Sequence, residues 1–206
     1  KPTKNNYFSI SLDKRSSIND FSVDFYNNEI TNMISTEYGT DLVDGDYLQY
    51  KNYDEVRING MNIHYYRKVT EKLKLKFVYN LTDASSNSDE ILEGISKHAL
   101  RLNLYYKLLD KLNFVTNVKY VGKKFIFDQE QDFLENPSII ELSNYFISDL
   151  YLATHFEKIL LKVGVKNIFN YKDSNRLSSN ILNNYDPGRR LFVELSLRLK
   201  GDSNAK

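Results

Sequence analysis

The feature that most constrains this chain is a strict alternation of apolar and polar residues along segments of about ten residues. In the last segment, Leu191, Val193, Leu195, Leu197 and Leu199 alternate with mostly polar residues. A period of two is that of a β-strand, whose successive side chains point to opposite faces of a sheet. The same pattern occurs in residues 73–81, 97–107, 112–120 and 158–166. The sequence therefore predicts an all-β protein with one apolar and one polar face.

Four weaker segments complete a set of about nine antiparallel strands. They lie near residues 7–13, 21–30, 47–67 and 145–156. In the third of these, the apolar residues change from even-numbered to odd-numbered positions at Asn59-Gly60. A slip of one residue within one strand predicts a β-bulge at this point.

The connections between these strands alternate in length. Residues 14–17, 68–72, 109–111 and 157 form tight turns, whereas 35–46, 82–96, 123–143 and 169–189 form long polar loops. Short turns on one side and long loops on the other are typical of outer-membrane β-barrels, whose short turns face the periplasm. This assignment places the C-terminus in the periplasm. No apolar run reaches the length of a membrane helix, so a membrane form of this chain must be an antiparallel transmembrane β-barrel.

A soluble antiparallel β-sheet protein that binds a ligand is the alternative, because its strands alternate equally well. The predicted strands exceed the usual five or six residues and approach the ~9–11 that a tilted membrane strand needs. The 16 Tyr residues suit a membrane–water boundary, since Tyr tolerates one apolar and one wet side. A formal net charge of +1 makes no case for binding nucleic acid. Without cysteine there is neither a disulfide framework nor a thiolate metal site.

Several segments resemble, in order and spacing, the C-terminal barrel of one family. Residues 165–171 (VKNIFNY) resemble a "gv-NLFN-Y" stretch, and residues 185–190 (YDPGRR) a "Y-PGR" stretch before a final strand. Residues 52–62 resemble an "N-a-i-GvE" strand, residues 25–34 an "FyN-I-dmI" strand, and Lys1-Pro2 the start of an "LKPE" segment. The family is that of the TonB-dependent receptors, and the resemblance covers essentially the whole chain. Its motif residues here are Asn167, Phe169, Asn170, Pro187, Gly188 and Arg189.

The resemblance implies that residues 1–200 are the C-terminal part of a barrel of roughly 22 strands, followed by a polar tail at 201–206. The remaining barrel, a plug domain and the segment gripped by TonB would lie outside this chain. The implied function is uptake of a scarce nutrient, such as a ferric siderophore, haem or cobalamin, through the outer membrane of a Gram-negative bacterium. The implied partners are outer-membrane lipid, the rest of the receptor, TonB and a small-molecule nutrient. No catalysis, cofactor or metal site is implied.

In such a barrel the two sets of alternating residues have different surroundings. The apolar set would face lipid: Leu100, Leu102, Leu104, Ile159, Leu161, Val163, Leu195 and Leu197. The polar set would line the lumen: Arg101, Asn103, Lys162, Lys166, Glu194 and Arg198.

Two groups of loop residues are candidates for contact with a nutrient. Phe125, Phe127 and Phe133 would stack on a flat ligand, although they would equally pack the loop on itself. Arg176 would attract an anionic chelate. No haem ligand is predicted in this chain, because none of its three histidines lies within a long loop. Neither a G-x-S-x-G nor an H-E-x-x-H motif occurs, so no catalytic residue is predicted.

Overall fold

The computed structural model describes residues 1–41, 45–87, 92–127, 139–156, 158–172 and 188–197, and their regular structure is entirely β. None of the described segments is a helix of the length and hydropathy needed to cross a membrane. The strands are β1 Lys4–Arg15, β2 Asn19–Asp41, β3 Gly45–Lys68, β4 Leu73–Ser86, β5 His98–Lys107, β6 Leu112–Val121, β7 Lys124–Phe127, β8 Ile139–Leu142, β9 Tyr145–Phe156, β10 Ile159–Lys166 and β11 Arg190–Leu197.

Nine of these strands form one antiparallel sheet in the order β1-β2-β3-β4-β5-β6-β9-β10-β11. The predicted fold class and the nine predicted strands are confirmed. The strands β7 and β8 form a separate hairpin within residues 123–143, the connection predicted to be a long polar loop. The sequence did not predict this hairpin, because strands of four residues are too short for alternation to reveal them.

Three of the four predicted tight turns, those after β1, β3 and β5, lie within one or two residues of where the sequence places them, and residue 157 lies outside the described residues. Reciprocal backbone hydrogen bonds close the β3–β4 and β5–β6 turns, between Thr70 and Leu73 and between Leu109 and Leu112. An ion pair closes each of them as well, Lys68–Glu71 at 2.7 Å and Lys107–Asp110 at 2.8 Å. The hydrogen bond from Lys68 lowers the pKa of Glu71. This contribution to stability is present above the ordinary carboxyl pKa and is lost as the pH falls through the lowered value.

Two of the predicted long loops are partly strand. Strand β2 continues to Asp41 and β3 begins at Gly45, so the predicted loop at 35–46 is mostly a hairpin that extends beyond β1 and β4. Strand β4 runs to Ser86, so residues 82–86 also pair as strand. Polarity predicted loops here, but Thr and Tyr favour strands even in polar sequence, and a hairpin needs no apolar face in order to pair.

The bulge predicted at Asn59-Gly60 is absent. Pairing with β2 and with β4 continues in one register through both residues. The strand does not slip at Asn59-Gly60. The apolar residues change from even-numbered to odd-numbered positions because β3 leaves the apolar part of the sheet there. Gly60 has a different role: a Cβ here would collide with the ring of Tyr26, which lies across the glycine and whose hydroxyl is 3.2 Å from the Thr82 hydroxyl.

The sheet is a single layer with an uncovered apolar face. The register of the strands places Leu102, Val163 and Leu195 on the same side of the sheet, which we call the apolar face. On β4 its apolar residues run from Leu73 to Leu81, about 27 Å along the strand. Its side chains are widely exposed, for example Leu195 at 69% and Val193 at 72%, and few residues are buried among those described. Within the described segments, the sheet therefore leaves a large apolar surface without a covering layer.

Candidate functional site

The opposite side, which we call the polar face, carries the residues predicted to line a lumen. Register places Arg101 opposite Lys119 and Asn103 opposite Asn117, with Lys162 between Ala153 and Glu194. The predicted grouping of Arg101, Asn103, Lys162, Lys166 and Glu194 on one face therefore agrees with the register. Arg198, the sixth member of the predicted set, lies outside the described residues.

These polar side chains are tied to each other across the strands. Lys162 Nζ lies 2.8 Å from Glu194 Oε1, and Asn103 Nδ2 donates to Asn117 Oδ1 over 2.6 Å. A second amide pair, Asn80 to Asn62, has the same length of 2.6 Å. Cross-strand pairing satisfies polar groups without an apolar layer, so this face suits contact with water or with polar protein.

Aromatic rings occupy the places where glycines leave room on this face. Tyr151 and Phe192 flank Gly164 from β9 and β11, with ring centroids 5.9 Å apart. Lys166 Nζ lies 5.0 Å from the centre of the Phe192 ring. A Cβ on Gly164 would collide with the backbone oxygen of Leu150 and with Tyr151. The alternation of single residues did not predict this arrangement, because it depends on which residues become cross-strand neighbours.

The charge of the polar face changes across the sheet. Strands β1 and β2 place Asp13, Asp20 and Asp24 on it. From β4 to β10 it is mostly basic, with Lys74, Lys76, Arg101, Lys119, Lys162 and Lys166. A cavity of about 420 Å³ lies at the tight-turn end of the acidic part, with Asp13, Arg15, His64 and Lys76 among its lining residues. No three His, Asp or Glu residues of the described segments group as possible metal ligands.

The motif residues meet in a compact turn at the end of β10, which we call the rim turn (residues 167–171 with 188 and 189). Asn167 is 1% exposed and has a φ of 51°, the left-handed conformation that Asn tolerates better than most residues. Its amide donates to the Tyr171 carbonyl over 2.8 Å and accepts from the Tyr171 N–H over 2.9 Å. Its own N–H donates to Asp149 Oδ1 over 2.9 Å. Asn167 therefore joins the turn to β9.

The second half of the motif docks on the first. Asn170, with a φ of 56°, accepts a hydrogen bond from the Arg189 N–H over 2.9 Å. Gly188 has a φ of 81°, and a Cβ there would collide with Asn170 Oδ1 and Lys172. The ring of Phe169 packs on Phe146 at 5.1 Å. Five of the six motif residues thus form one structure that sets where β11 begins; Pro187 lies outside the described residues.

The β7–β8 hairpin presents different residues on its two sides. Ile126 and Leu142 are 4% and 0% exposed, whereas Phe125 and Ile139 on the other side are 37% and 50% exposed. The backbone N–H of Gly94 donates to the Phe125 carbonyl and ties the hairpin to the preceding connection. Phe127 pairs with Ile139. Phe133 and Arg176, the other predicted contacts, lie outside the described residues.

Comparison with known proteins decides the family. A family model described as the β-barrel of TonB-dependent receptor-like proteins matches residues 1–168. The chain belongs to the TonB-dependent receptor β-barrel family. Its predicted membership and the partial barrel are therefore confirmed. Among proteins with curated descriptions, none matches in sequence.

Solved structures show the same fold at low sequence identity. The copper transporter OprC has 17% identity and a TM-score of 0.77, over 96% of this chain and 31% of its own. The siderophore receptor PirA from Acinetobacter baumannii has 17% identity and a TM-score of 0.71, over 96% and 32%. The ferric-catecholate import receptor Fiu from E. coli K12 has 17% identity and a TM-score of 0.64, over 84% and 24%. The chain thus spans about a quarter to a third of the length of these structures.

Proposed function

We propose that the protein containing this chain is an outer-membrane receptor that takes up a scarce nutrient with energy delivered by TonB. The chain supplies nine neighbouring strands of the barrel wall. The observation that carries the proposal is the wide apolar face, left uncovered in a sheet whose family is that of a receptor barrel. Contiguous apolar surface of this extent suits lipid, whereas in a soluble β-sheet protein another layer would have to cover it.

In such a receptor, different parts of this chain have different surroundings. The apolar face lies in lipid, and the polar face lines the lumen and contacts the plug. The first and last strands, β1 and β11, each pair on one side only among the described strands. Open edges are not tolerated in lipid, so the remaining strands of a larger barrel complete them. The hairpin β7–β8 and the other long connections lie outside the cell, and the tight turns and the C-terminus lie in the periplasm.

The scarce nutrient we propose is an anionic iron chelate such as a ferric siderophore, with haem and cobalamin as the alternatives. Two of the neighbours named above are a siderophore receptor and a ferric-catecholate import receptor. The polar face from β4 to β10 carries more Lys and Arg than Asp and Glu, which favours passage of an anion. The contacts we propose in the loops are those predicted from the sequence: Phe125, Phe127, Phe133 and Arg176. The proposal includes no reaction and no resident cofactor.

Uptake of labelled nutrients tests this function directly. Deleting the gene should reduce the accumulation of one ferric siderophore, of haem or of cobalamin at least tenfold, because these solutes exceed what passive pores admit. Deleting the energy transducer TonB should have the same effect. Uptake of a small sugar through passive pores serves as the control and should not change. Normal accumulation of all three nutrient classes in the deletion strain would contradict the proposal.

Labelling from outside the cell tests the orientation. The chain has no cysteine, so a single introduced cysteine reports its own position within it. Ile139→Cys, on the exposed side of β8, should react with a membrane-impermeant maleimide on intact cells. Asp110→Cys, in the β5–β6 turn, should react only after the outer membrane is permeabilised, although the Asp110 side chain is 96% exposed. The opposite pattern would reverse the assignment of the two ends.

A further inference from the structure

Two basic side chains lie on the apolar face near the tight turns. Lys14 precedes the last residue of β1, and Arg67 precedes the last residue of β3. Lys14 pairs with Phe21, which pairs in turn with Tyr65, and Arg67 lies two residues further along the same side of β3. Both side chains are exposed. The two cations therefore belong to the face that carries Leu12 and Val23, not to the polar face.

This pair places charge on a border that is otherwise uncharged among the described residues. On β2 the corresponding position of the apolar face at this end is the uncharged Asn19, opposite Arg67. On β4, β5, β6, β9, β10 and β11 it is an apolar or aromatic residue: Leu73, Tyr106, Leu112, Phe156, Ile159 and Leu197. The two basic residues thus lie on β1 and β3, on either side of β2, in one sector of the border. A general preference for cations at a membrane surface would not concentrate them in this way.

Neither cation has a protein partner in the part of the chain that the structure describes. Nearby basic residues do have one: Lys68 pairs with Glu71 and Lys107 with Asp110. The acidic residues closest to Lys14 along the strands, Asp13 and Asp20, alternate to the polar face. The charges of Lys14 and Arg67 are therefore available to an anion that approaches from the apolar side.

The surroundings fit a lipid headgroup. The rings of Phe21 and Tyr65 meet edge to face, 6.5 Å apart, in the row that begins with Lys14. From strand spacing and rise, the Cα atoms of Lys14 and Arg67 lie about 12 Å apart. Long basic side chains bury their stems along apolar surface and extend their charges to the interface, where aromatic rings also concentrate. Basic pockets at this level bind anionic headgroups.

We propose that Lys14 and Arg67 form a binding site for the phosphodiester headgroup of an anionic glycerophospholipid in the periplasmic leaflet of the outer membrane. The acyl chains of this lipid lie against Leu12 and the Phe21–Tyr65 pair. The inference rests on the proposed function, because it requires the apolar face to lie in lipid and the tight turns to face the periplasm. An acidic protein is a poorer occupant, since these residues adjoin a surface that lipid covers.

A tryptophan placed between the two cations tests the site. The chain has no tryptophan, so Phe21→Trp adds one reporter, read as the difference from the parent receptor. The complete receptor is reconstituted into vesicles in which either phosphatidylglycerol or phosphatidylcholine carries bromine on its acyl chains. Quenching should show a preference for phosphatidylglycerol of about 5- to 30-fold, the range expected for two cations near a surface. In the double variant Lys14→Gln with Arg67→Gln, the preference should be lost, so that the two brominated lipids quench about equally.

A matched control removes two charges from the other face at the same end. Arg15→Gln with Lys76→Gln should leave the preference unchanged. Equal quenching by both brominated lipids in the parent receptor, or an equal loss of preference in both double variants, would overturn the inference. So would loss of the preference on adding inorganic phosphate, because the site would then hold any phosphate. Absence of quenching by either lipid would instead contradict the proposed function, because the apolar face would not lie in lipid.

Discussion

Leu102→Arg is expected to destabilise the assembled barrel by about 2–4 kcal/mol, the cost of an arginine facing lipid near the middle of the bilayer. Leu102 lies on the apolar face between Phe77 on β4 and Val118 on β6, away from both ends of these strands. Since 1.4 kcal/mol is a factor of ten, the ratio of folded to unfolded receptor should fall by about 30- to 1,000-fold. Urea titration of the receptor in lipid vesicles measures this change. Heat-modifiable migration in detergent gels reports the folded fraction independently.

The neighbouring residue provides the control. Asn103→Arg introduces the same side chain one position along the same strand, but on the polar face. It should cost about 1 kcal/mol, mainly the hydrogen bond from Asn103 to Asn117. Equal losses for the two variants, or a larger loss for Asn103→Arg, would show that the apolar face does not lie in lipid.

Asn167→Ala is expected to lower the free energy of unfolding by about 2–4 kcal/mol, although it removes only a small polar side chain. The substitution deletes both hydrogen bonds between the Asn167 amide, which is almost fully buried, and the backbone of Tyr171. It also places a residue with a Cβ, and without a local amide, at a φ of 51°, which costs roughly 1–2 kcal/mol. Thermal unfolding in detergent, compared with the parent receptor, measures the loss.

Two further variants separate these causes. Asn167→Gly removes the hydrogen bonds but adopts a positive φ without strain, so it should recover about 1 kcal/mol of the loss. Asn80→Ala removes a side-chain amide from a paired position of β4 and should cost only about 1 kcal/mol. If Asn167→Ala is no worse than Asn80→Ala, the rim turn does not hold β11 in the way we infer.

Alternation predicted the two faces correctly wherever it was uninterrupted. For β5 and β10, the apolar residues Leu102 and Val163 and the polar residues Asn103 and Lys162 lie on the predicted faces. This succeeds because the period of a strand is an exact property of its backbone, which distant contacts do not change. The tight turns were predicted for a related reason, since the alternation stops there and only a few residues separate one strand from the next.

The predictions that failed came from polar segments and from an interruption of the alternation. Polarity predicts a loop at residues 35–41, yet these residues pair with 45–51 as the extension of β2 and β3. The slip at Asn59-Gly60 was interpreted as a bulge, yet the register is unbroken. In both cases the partner strand decided the conformation. A single strand does not show where it leaves the apolar part of the sheet.

The motif residues show what a family resemblance does and does not reveal about the role of a residue. The sequence identified Asn167, Phe169 and Asn170 as members of a family pattern without a physical reason for their identity. The structure supplies the reason: Asn167 and Asn170 have positive φ, and their amides bond to Tyr171 and Arg189. The role of a residue 19 positions away from Asn170 becomes visible only when the two are in contact.

The sequence by itself therefore determined the local features of this protein, which are its β-strands, their two faces and its tight turns. It also determined the family. These follow from backbone periodicity and from short motifs, which act over neighbouring residues. Tertiary structure alone decided which residues face one another across strands: Tyr26 over Gly60, Phe192 beside Gly164, and Lys14 near Arg67. Cross-strand neighbours depend on the register of several strands at once, and each register is fixed by long-range pairing that no local pattern encodes.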